Sequence, residues 1–123
     1  MARAFRAMLR EHAAALPMFA TRNATGPRAL AQVERGLAVL VTTGMSIAEA
    51  LSTFQVVFAY VVGHSLYTFT PLPEGSRVDY GALPADRFVH LRRIAELEPT
   101  DSEVEFERGL DLLVEGIRRD LAR

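Results

Sequence analysis

Apolar residues recur at helical spacing along most of the chain, and no segment shows a credible strand pattern. Near the N-terminus, Phe5, Leu9 and Leu16 follow i, i+4 and i+11, which places them on one face of a helix. Pro27 suits the first position of a second helix, and Gly44 suits its C-terminal cap. The pattern therefore predicts amphipathic helices joined by short loops.

The third predicted helix spans residues 46–69 and lacks the charged face that the other helices have. No residue that is ionised at neutral pH lies between Glu49 and Glu74, apart from a possible charge on His64. Ser46 precedes Glu49 by three positions, which is the spacing of a capping box in which each side chain binds the other residue's amide. Two prolines and a glycine then end the helix.

The last third of the chain predicts a loop and two more helices. Residues 70–83 are rich in turn formers, residues 84–97 carry a short apolar stripe, and residues 101–122 form the final predicted helix. Thr100 and Glu103 have the spacing of a second capping box. These elements together predict an all-α fold, a helical bundle of about five helices.

Three interpretations fit the uncharged helix. A membrane span needs roughly 20 apolar residues, but Gln55 and His64 are among several polar residues that dilute the segment, and the flanking helices are amphipathic. No membrane contact is therefore expected. The helix is then either a core helix of one domain or a helix with one side facing a second subunit. A helix that is apolar all round must be covered all round, which favours a homodimer.

The final predicted helix supports the dimer. Gly109 and Gly116 are seven residues apart on one face, and a helical glycine costs roughly 1 kcal/mol relative to alanine. We therefore expect another backbone close to this face, and Gly63 suggests the same for the uncharged helix. Two helices from each of two subunits would form a four-helix bundle. The predicted interface comprises Val57, Val61, Gly63, Leu66, Phe106, Gly109, Leu110, Leu113, Gly116 and Ile117.

Composition excludes several classes of function. The 123 residues carry a formal net charge of −1 and no cysteine, so they lack the basic excess of a nucleic-acid binder and the thiolates of a zinc site. Arg3, Arg6 and Arg10 are expected to form a solvated face. The N-terminus lacks a secretory signal, and a cytoplasmic location is expected.

No catalytic pattern emerges from the sequence. There is no cysteine nucleophile, no serine in a nucleophile elbow and no glycine loop of a phosphate site. Asp86 and His90 are four residues apart, but one such pair on a charged helix indicates surface electrostatics. We therefore expect no enzyme and no cofactor.

Several segments together resemble the ligand-binding domain of tetracycline-repressor (TetR) family regulators. The segment "LAVLVTTGMSIAEALSTFQVVFAYVVGHSLY" resembles the middle of that domain, with a Gly-x-Ser turn at Gly44 and Ser46. The segment "SEVEFERGLDLLVEGIRRDL" resembles its last helix. In "PMFATRN", Thr21 and Arg22 match a Thr-Arg pair that borders the family's drug pocket.

The resemblance implies one domain over residues 1–123, an all-helical effector-sensing and dimerisation domain of a bacterial regulator or repressor. In full-length members an N-terminal helix-turn-helix head binds operator DNA. No segment here predicts a recognition helix, so operator DNA is expected to be bound only through such a head. The chain is expected to be either an excised regulatory domain or a naturally headless relative.

The ligand implied by the resemblance differs from magnesium–tetracycline. The tetracycline repressor holds its drug as a magnesium chelate through a His and a Glu, and the matching positions here are Met18 and Tyr67. Magnesium prefers hard oxygen ligands. We therefore expect no metal and a small, largely apolar effector. A helical interaction module without a ligand is the alternative.

The predicted pocket combines an apolar lining with a few polar groups. Phe54, Phe58, Val61 and Val62 share a stripe assigned to the domain interior, although Val61 is also assigned to the interface above. Gln55 lies at the edge of that stripe, where a buried amide needs a partner. The predicted ligand-binding residues are Phe19, Arg22, Leu37, Leu40, Val41, Phe54, Gln55, Phe58, Tyr60, Val62, His64, Phe88 and Leu91.

Overall fold

The computed structural model describes residues 1–21 and 25–123, and within them every regular element is helical. Two short 3-10 turns accompany the α-helices, and the described residues contain no strand. The all-α prediction is therefore confirmed. The helices are α1 (Ala2–Glu11), α2 (Leu16–Thr21), α3 (Pro27–Thr42), α4 (Ile47–Phe69), α5 (Val89–Ile94) and α6 (Ser102–Leu121).

Helix α4 lies at the centre of the fold and packs against α1, α2, α3 and α6. It begins with the predicted capping box: the amide of Glu49 donates to Ser46 Oγ at 3.3 Å, and the amide of Ser46 donates to Glu49 Oε2 at 2.7 Å. Gly44 precedes it with a φ of +96°, the left-handed conformation that a C-terminal glycine cap uses. The sequence therefore specifies both the end of α3 and the start of α4.

The hydrophobic core lies where α1, α2, α4 and α6 meet. Its buried side chains come from all four helices, and Ala50 adds a small buried contact near the start of α4. Phe58 and Leu66 pack around this core from α4. The core residues are Leu9, Leu16, Val61, Val62, Phe106 and Leu110.

Two of the three arginines of α1, Arg3 and Arg10, are solvated as the sequence predicts, but Arg6 is not. Arg3 remains exposed and pairs with Glu107 at 2.7 Å, whereas Arg6 is only 3% exposed and pairs with Glu103 at 2.7 Å. Both partners belong to α6, so helix packing brings acidic and basic side chains of distant segments together. The expectation was wrong for Arg6 because it lies three residues before the buried Leu9, on the same side of α1.

Two boundaries also differ from those predicted. Helix α5 is shorter than the predicted 84–97, because Phe88 adopts φ −126° and ψ 47°, which separates α5 from the preceding turn at Pro84. The N-cap of α6 is Asp101 rather than Thr100. The Asp101 carboxylate accepts from the amide of Glu103 at 2.7 Å, so the second predicted capping box is replaced by an aspartate cap.

Gly109 allows the side chain of Tyr60 to lie against α6. The Tyr60 hydroxyl donates to the carbonyl of Phe106 at 2.9 Å, and a Cβ added at Gly109 would lie 2.6 Å from Tyr60 Cζ. The close approach that Gly109 predicts is therefore made within one chain, by a side chain. By contrast, a Cβ at Gly63 or Gly116 would meet nothing within 4 Å.

We expect Gly109→Ala to lower the free energy of unfolding by about 1–3 kcal/mol, because the new methyl group overpacks against Tyr60. In a Tyr60→Leu background the ring atoms that cause the clash are gone. There, Gly109→Ala should be neutral or stabilising by up to about 1 kcal/mol, since alanine favours helix. Urea unfolding of the four proteins measures this coupling. Equal costs in both backgrounds would contradict the assigned contact.

Candidate functional site

Helices α4 and α6 expose apolar side chains that the single chain does not cover. Only 17% of the most apolar part of α4 is buried. Leu51 and Val56 of α4 are exposed, as are Val104 and Leu112 of α6, the last by 66%. Two neighbouring helices with several exposed apolar side chains each are a candidate interaction surface.

By length and composition, α4 could also cross a membrane, since the mean hydropathy of its most apolar window is 1.3. Central helices of water-soluble proteins share these properties. Here α4 is packed by four other helices of the chain. Its partners α1 and α6 carry the ion pairs Arg3–Glu107 and Arg6–Glu103, which a hydrocarbon environment would disfavour.

Four phenylalanines meet where α1, α2 and α4 converge. The rings of Phe5 and Phe58 stack with centroids 5.4 Å apart, Phe54 lies 6.2 Å from Phe58, and Phe19 meets Phe5 edge-on at 6.0 Å. Phe54 also lies against α3 at Gly36, where an added Cβ would be 2.6 Å from the ring. We call these four rings the phenylalanine cluster. It brings together three of the predicted ligand-binding residues.

The other predicted ligand-binding residues are distributed around the fold. Val62 is buried in the core, whereas Val41 and Gln55 are exposed. Arg22 lies outside the described residues. Four further side chains are partly buried, two on α3 and two at or within α5, whose helix packs on the 3-10 turn over residues 80–82. These four are Leu37, Leu40, Phe88 and Leu91.

The predicted interface residues differ in how far the single chain buries them. Val61, Phe106 and Leu110 lie in the core of the single chain, beneath its surface. Gly63 and Gly116 are exposed and open. The remaining predicted interface residues are partly buried, and Gly109 among them faces Tyr60. They are Val57, Leu66, Gly109, Leu113 and Ile117.

A second aromatic group surrounds the guanidinium of Arg6. Its Cζ lies 4.5 Å from the ring centre of Phe106 and 4.8 Å from that of Phe69, so both rings lie against the guanidinium. Such cation–π contacts stabilise a desolvated guanidinium. The His64 ring lies 5.4 Å from Phe106 and 5.8 Å from Tyr60. We call these five residues the Arg6 cluster.

Sequence reasoning missed Arg6 as a member of any site. The available signal was its spacing, since Arg6 and the buried Leu9 lie on one side of α1 at i and i+3. An arginine on an apolar stripe indicates a buried charge with a partner. The partner, Glu103, is distant in sequence and has no local signature.

The surroundings of His64 in the Arg6 cluster favour the neutral form of its imidazole. Burial lowers the pKa of His64, and the nearby charge of Arg6 lowers it further. Its Nδ1 lies 3.2 Å from Thr68 Oγ1, one helical turn away. Burial also raises the pKa of Tyr60, whose hydroxyl is engaged by the Phe106 carbonyl. Both side chains therefore act here as neutral polar groups at pH 7.

A magnesium chelate does not fit the residues at the matching positions. Met18 and Tyr67 are both exposed, and a thioether and a neutral phenol are poor ligands for Mg²⁺. Within residues 1–21 and 25–123, no group of three or more His, Asp or Glu side chains is placed to hold a metal ion.

Comparison with known protein families gives a match over most of the chain. The family model described as "Tetracyclin repressor-like, C-terminal domain" matches residues 1–121. The match covers nearly the whole chain, including the α3–α4 turn and α6. Searches of the curated proteins and of the solved structures gave no significant match.

We expect the stability of the protein to decrease as the pH falls through the range where His64 titrates. The folded state lowers the pKa of His64, so the stability that the neutral ring contributes is complete above its ordinary pKa of about 6.5. It is lost as the pH falls through the lower folded pKa, because the unfolded chain binds the proton first. Thermal melts between pH 7.5 and about 5 measure this slope. His64→Gln should flatten it, and the exposed His90→Gln should leave it unchanged; equal slopes for both variants would contradict the assignment.

Proposed function

Because the chain belongs to the tetracyclin repressor-like C-terminal domain family, we propose that it is the effector-sensing and dimerisation domain of a bacterial transcription regulator. Its partners are a second copy of itself and a small, largely apolar effector bound without metal. Operator DNA is contacted through a separate helix-turn-helix head. The role is regulatory rather than enzymatic, and the location is cytoplasmic.

The exposed apolar surface of α4 and α6 is the single observation that carries the dimerisation proposal. The two helices contact each other through Tyr60 and Phe106, whose rings stack at 5.5 Å. Leu51 and Leu112 remain uncovered by the chain itself. A twofold axis that pairs these helices with their copies forms a four-helix bundle and covers both faces at once.

The phenylalanine cluster supports the effector proposal. Its rings belong to three helices, and an apolar compound inserted between Phe5 and Phe58 would separate α1 from α4. Helix α1 is tied to α6 by the Arg3–Glu107 ion pair and by the buried Arg6. A shift of α1 is therefore transmitted to a helix of the proposed interface, which is the coupling that a sensor requires.

A dimerisation module without a ligand is the second candidate. The direct stacking of Phe5 on Phe58 at 5.4 Å favours it, because an effector must displace one ring to occupy this position. Ligand binding separates the two candidates, since both predict the same dimer.

We expect the protein to form a homodimer that Gly116→Leu weakens. Gly116 meets nothing within 4 Å in the single chain, so the larger side chain clashes only with a partner. Leucine also favours helix over glycine, which excludes a loss of helicity as the cause. Size-exclusion chromatography with light scattering across a dilution series measures the dissociation constant, with Gly116→Ala as the smaller control.

The dimer proposal also predicts the behaviour of a Gly63 variant and of the wild-type protein in that experiment. Gly63→Leu, at the other open glycine, should weaken the dimer in the same way. A wild-type protein that remains monomeric at high micromolar concentration would contradict the proposal, as would leucine variants that leave the dissociation constant unchanged.

We expect a metal-free apolar compound to raise the melting temperature. A ligand that binds only the folded state stabilises it by about 2.7 kcal/mol at one hundred times its Kd. A thermal-shift screen of hydrophobic compounds in EDTA measures this effect. Phe58→Ala should change the response, because it removes one ring and leaves a cavity in the cluster. The exposed Val39→Ala is the matched control, and a stabiliser that requires magnesium would contradict the proposal.

A further inference from the structure

Arg6 has a buried guanidinium whose hydrogen bonds are only partly satisfied. The residue is 3% exposed, and its Nη1 donates to Glu103 Oε1 at 2.7 Å. Its Nε and Nη2 are buried and have no hydrogen-bond partner among the described residues. A charged donor that is buried without an acceptor is costly, so an acceptor at this position would be strongly favoured.

The surroundings of Arg6 determine what kind of acceptor fits. Phe69 and Phe106 lie against the guanidinium, and Glu103 already engages one nitrogen. The remaining Nε and Nη2 form the fork of two N–H groups that binds a carboxylate in a bidentate manner. A planar carboxylate therefore matches the free edge in both shape and charge.

The described neighbours do not supply this carboxylate. His64 and Tyr60 are neutral, and the Tyr60 hydroxyl already donates to Phe106. Ser65 lies one helical turn before Phe69 on α4, is fully buried, and its Oγ also has no hydrogen-bond partner among the described residues. Ser65 is therefore a second buried polar atom on α4 whose hydrogen bonding is unsatisfied.

Arg6 shares its carboxylate partner with a second arginine. Glu103 contacts both Arg6 and Arg10, with the second contact at 3.7 Å. Glu107, which pairs with Arg3, adds further negative charge near Arg6. Phe69, at the end of α4, is only partly buried, so the Arg6 cluster reaches the surface at this ring.

We propose that the effector is a small monocarboxylic acid with an apolar body and that its carboxylate binds the free edge of Arg6, so that the Arg6 cluster rather than the phenylalanine cluster holds it. This inference rests on the proposed sensor function and names its ligand class. The rings of Phe69 and Phe106 border the guanidinium and provide apolar surface for the body of the acid. Binding at Arg6 acts on the α1–α6 link directly.

The test compares acids with their neutral amides on the full chain. Octanoate is paired with octanamide and phenylacetate with phenylacetamide, and affinities are measured by calorimetry at constant ionic strength without metal. We expect at least one acid to bind about tenfold or more tightly than its amide, as a charge-assisted pair requires. Arg6→Met should abolish this preference, and the exposed Arg28→Met should preserve it.

Two further variants keep the test decisive if Arg6→Met does not fold by circular dichroism. Arg6→Lys retains the charge but loses the fork, so it should weaken the acid several-fold relative to the amide. Glu103→Gln removes the competing carboxylate and should tighten the acid. An acid preference that weakens in Arg6→Lys and strengthens in Glu103→Gln supports the proposal without the Arg6→Met variant.

The remaining outcomes separate this inference from the proposed function. If amides bind as tightly as acids, or if the variants leave the acid preference unchanged, the Arg6 proposal is overturned while an apolar effector site stands. If neither acids nor amides bind and the hydrophobic screen also finds no stabiliser, both proposals fail and the dimerisation module replaces them.

Discussion

A 23-residue helix with no acidic or basic side chain after Glu49, apart from His64, is stable in water only when other surfaces cover it, and the position of α4 reflects this constraint. Helices α1, α2, α3 and α6 each take part of its surface. They leave Leu51 and Val56 exposed, because the four helices together do not cover the full surface of α4. The same constraint that gathers the fold around α4 thus leaves the apolar surface on which the dimer proposal depends.

Local sequence signals predicted the parts of the fold that depend on local physics. The Ser46–Glu49 capping box, the Gly44 cap and the extent of α4 are each determined within a few residues, and each agrees with the structure. Thr100 illustrates the limit of such motifs. Asp101 competes for the same role one residue later, and its carboxylate caps α6 instead. Spacing alone does not decide between two adjacent capping residues.

The candidate sites could be predicted only in part, because their decisive contacts join distant segments. Aromatic spacing on α4 identified Phe54 and Phe58, but no local pattern shows that Phe5 stacks on Phe58. Glycine spacing on α6 gave Gly109 and Gly116 the same expected role. The structure separates them, since Tyr60 occupies the space beside Gly109 while Gly116 remains open. Which neighbour fills a gap is a property of tertiary packing.

Helix α1 connects the two functions that we propose for the fold. Phe5 places it in the phenylalanine cluster, and the adjacent Arg6 places it against α6 through Phe106 and Glu103. Consecutive residues on a helix point about 100° apart, so one short helix contacts both regions with different faces. A rigid helix cannot move one face without the other. On this proposal we expect a ligand that displaces Phe5 or engages Arg6 to change how α6 packs on α4, and α6 is one of the two helices of the proposed dimer interface.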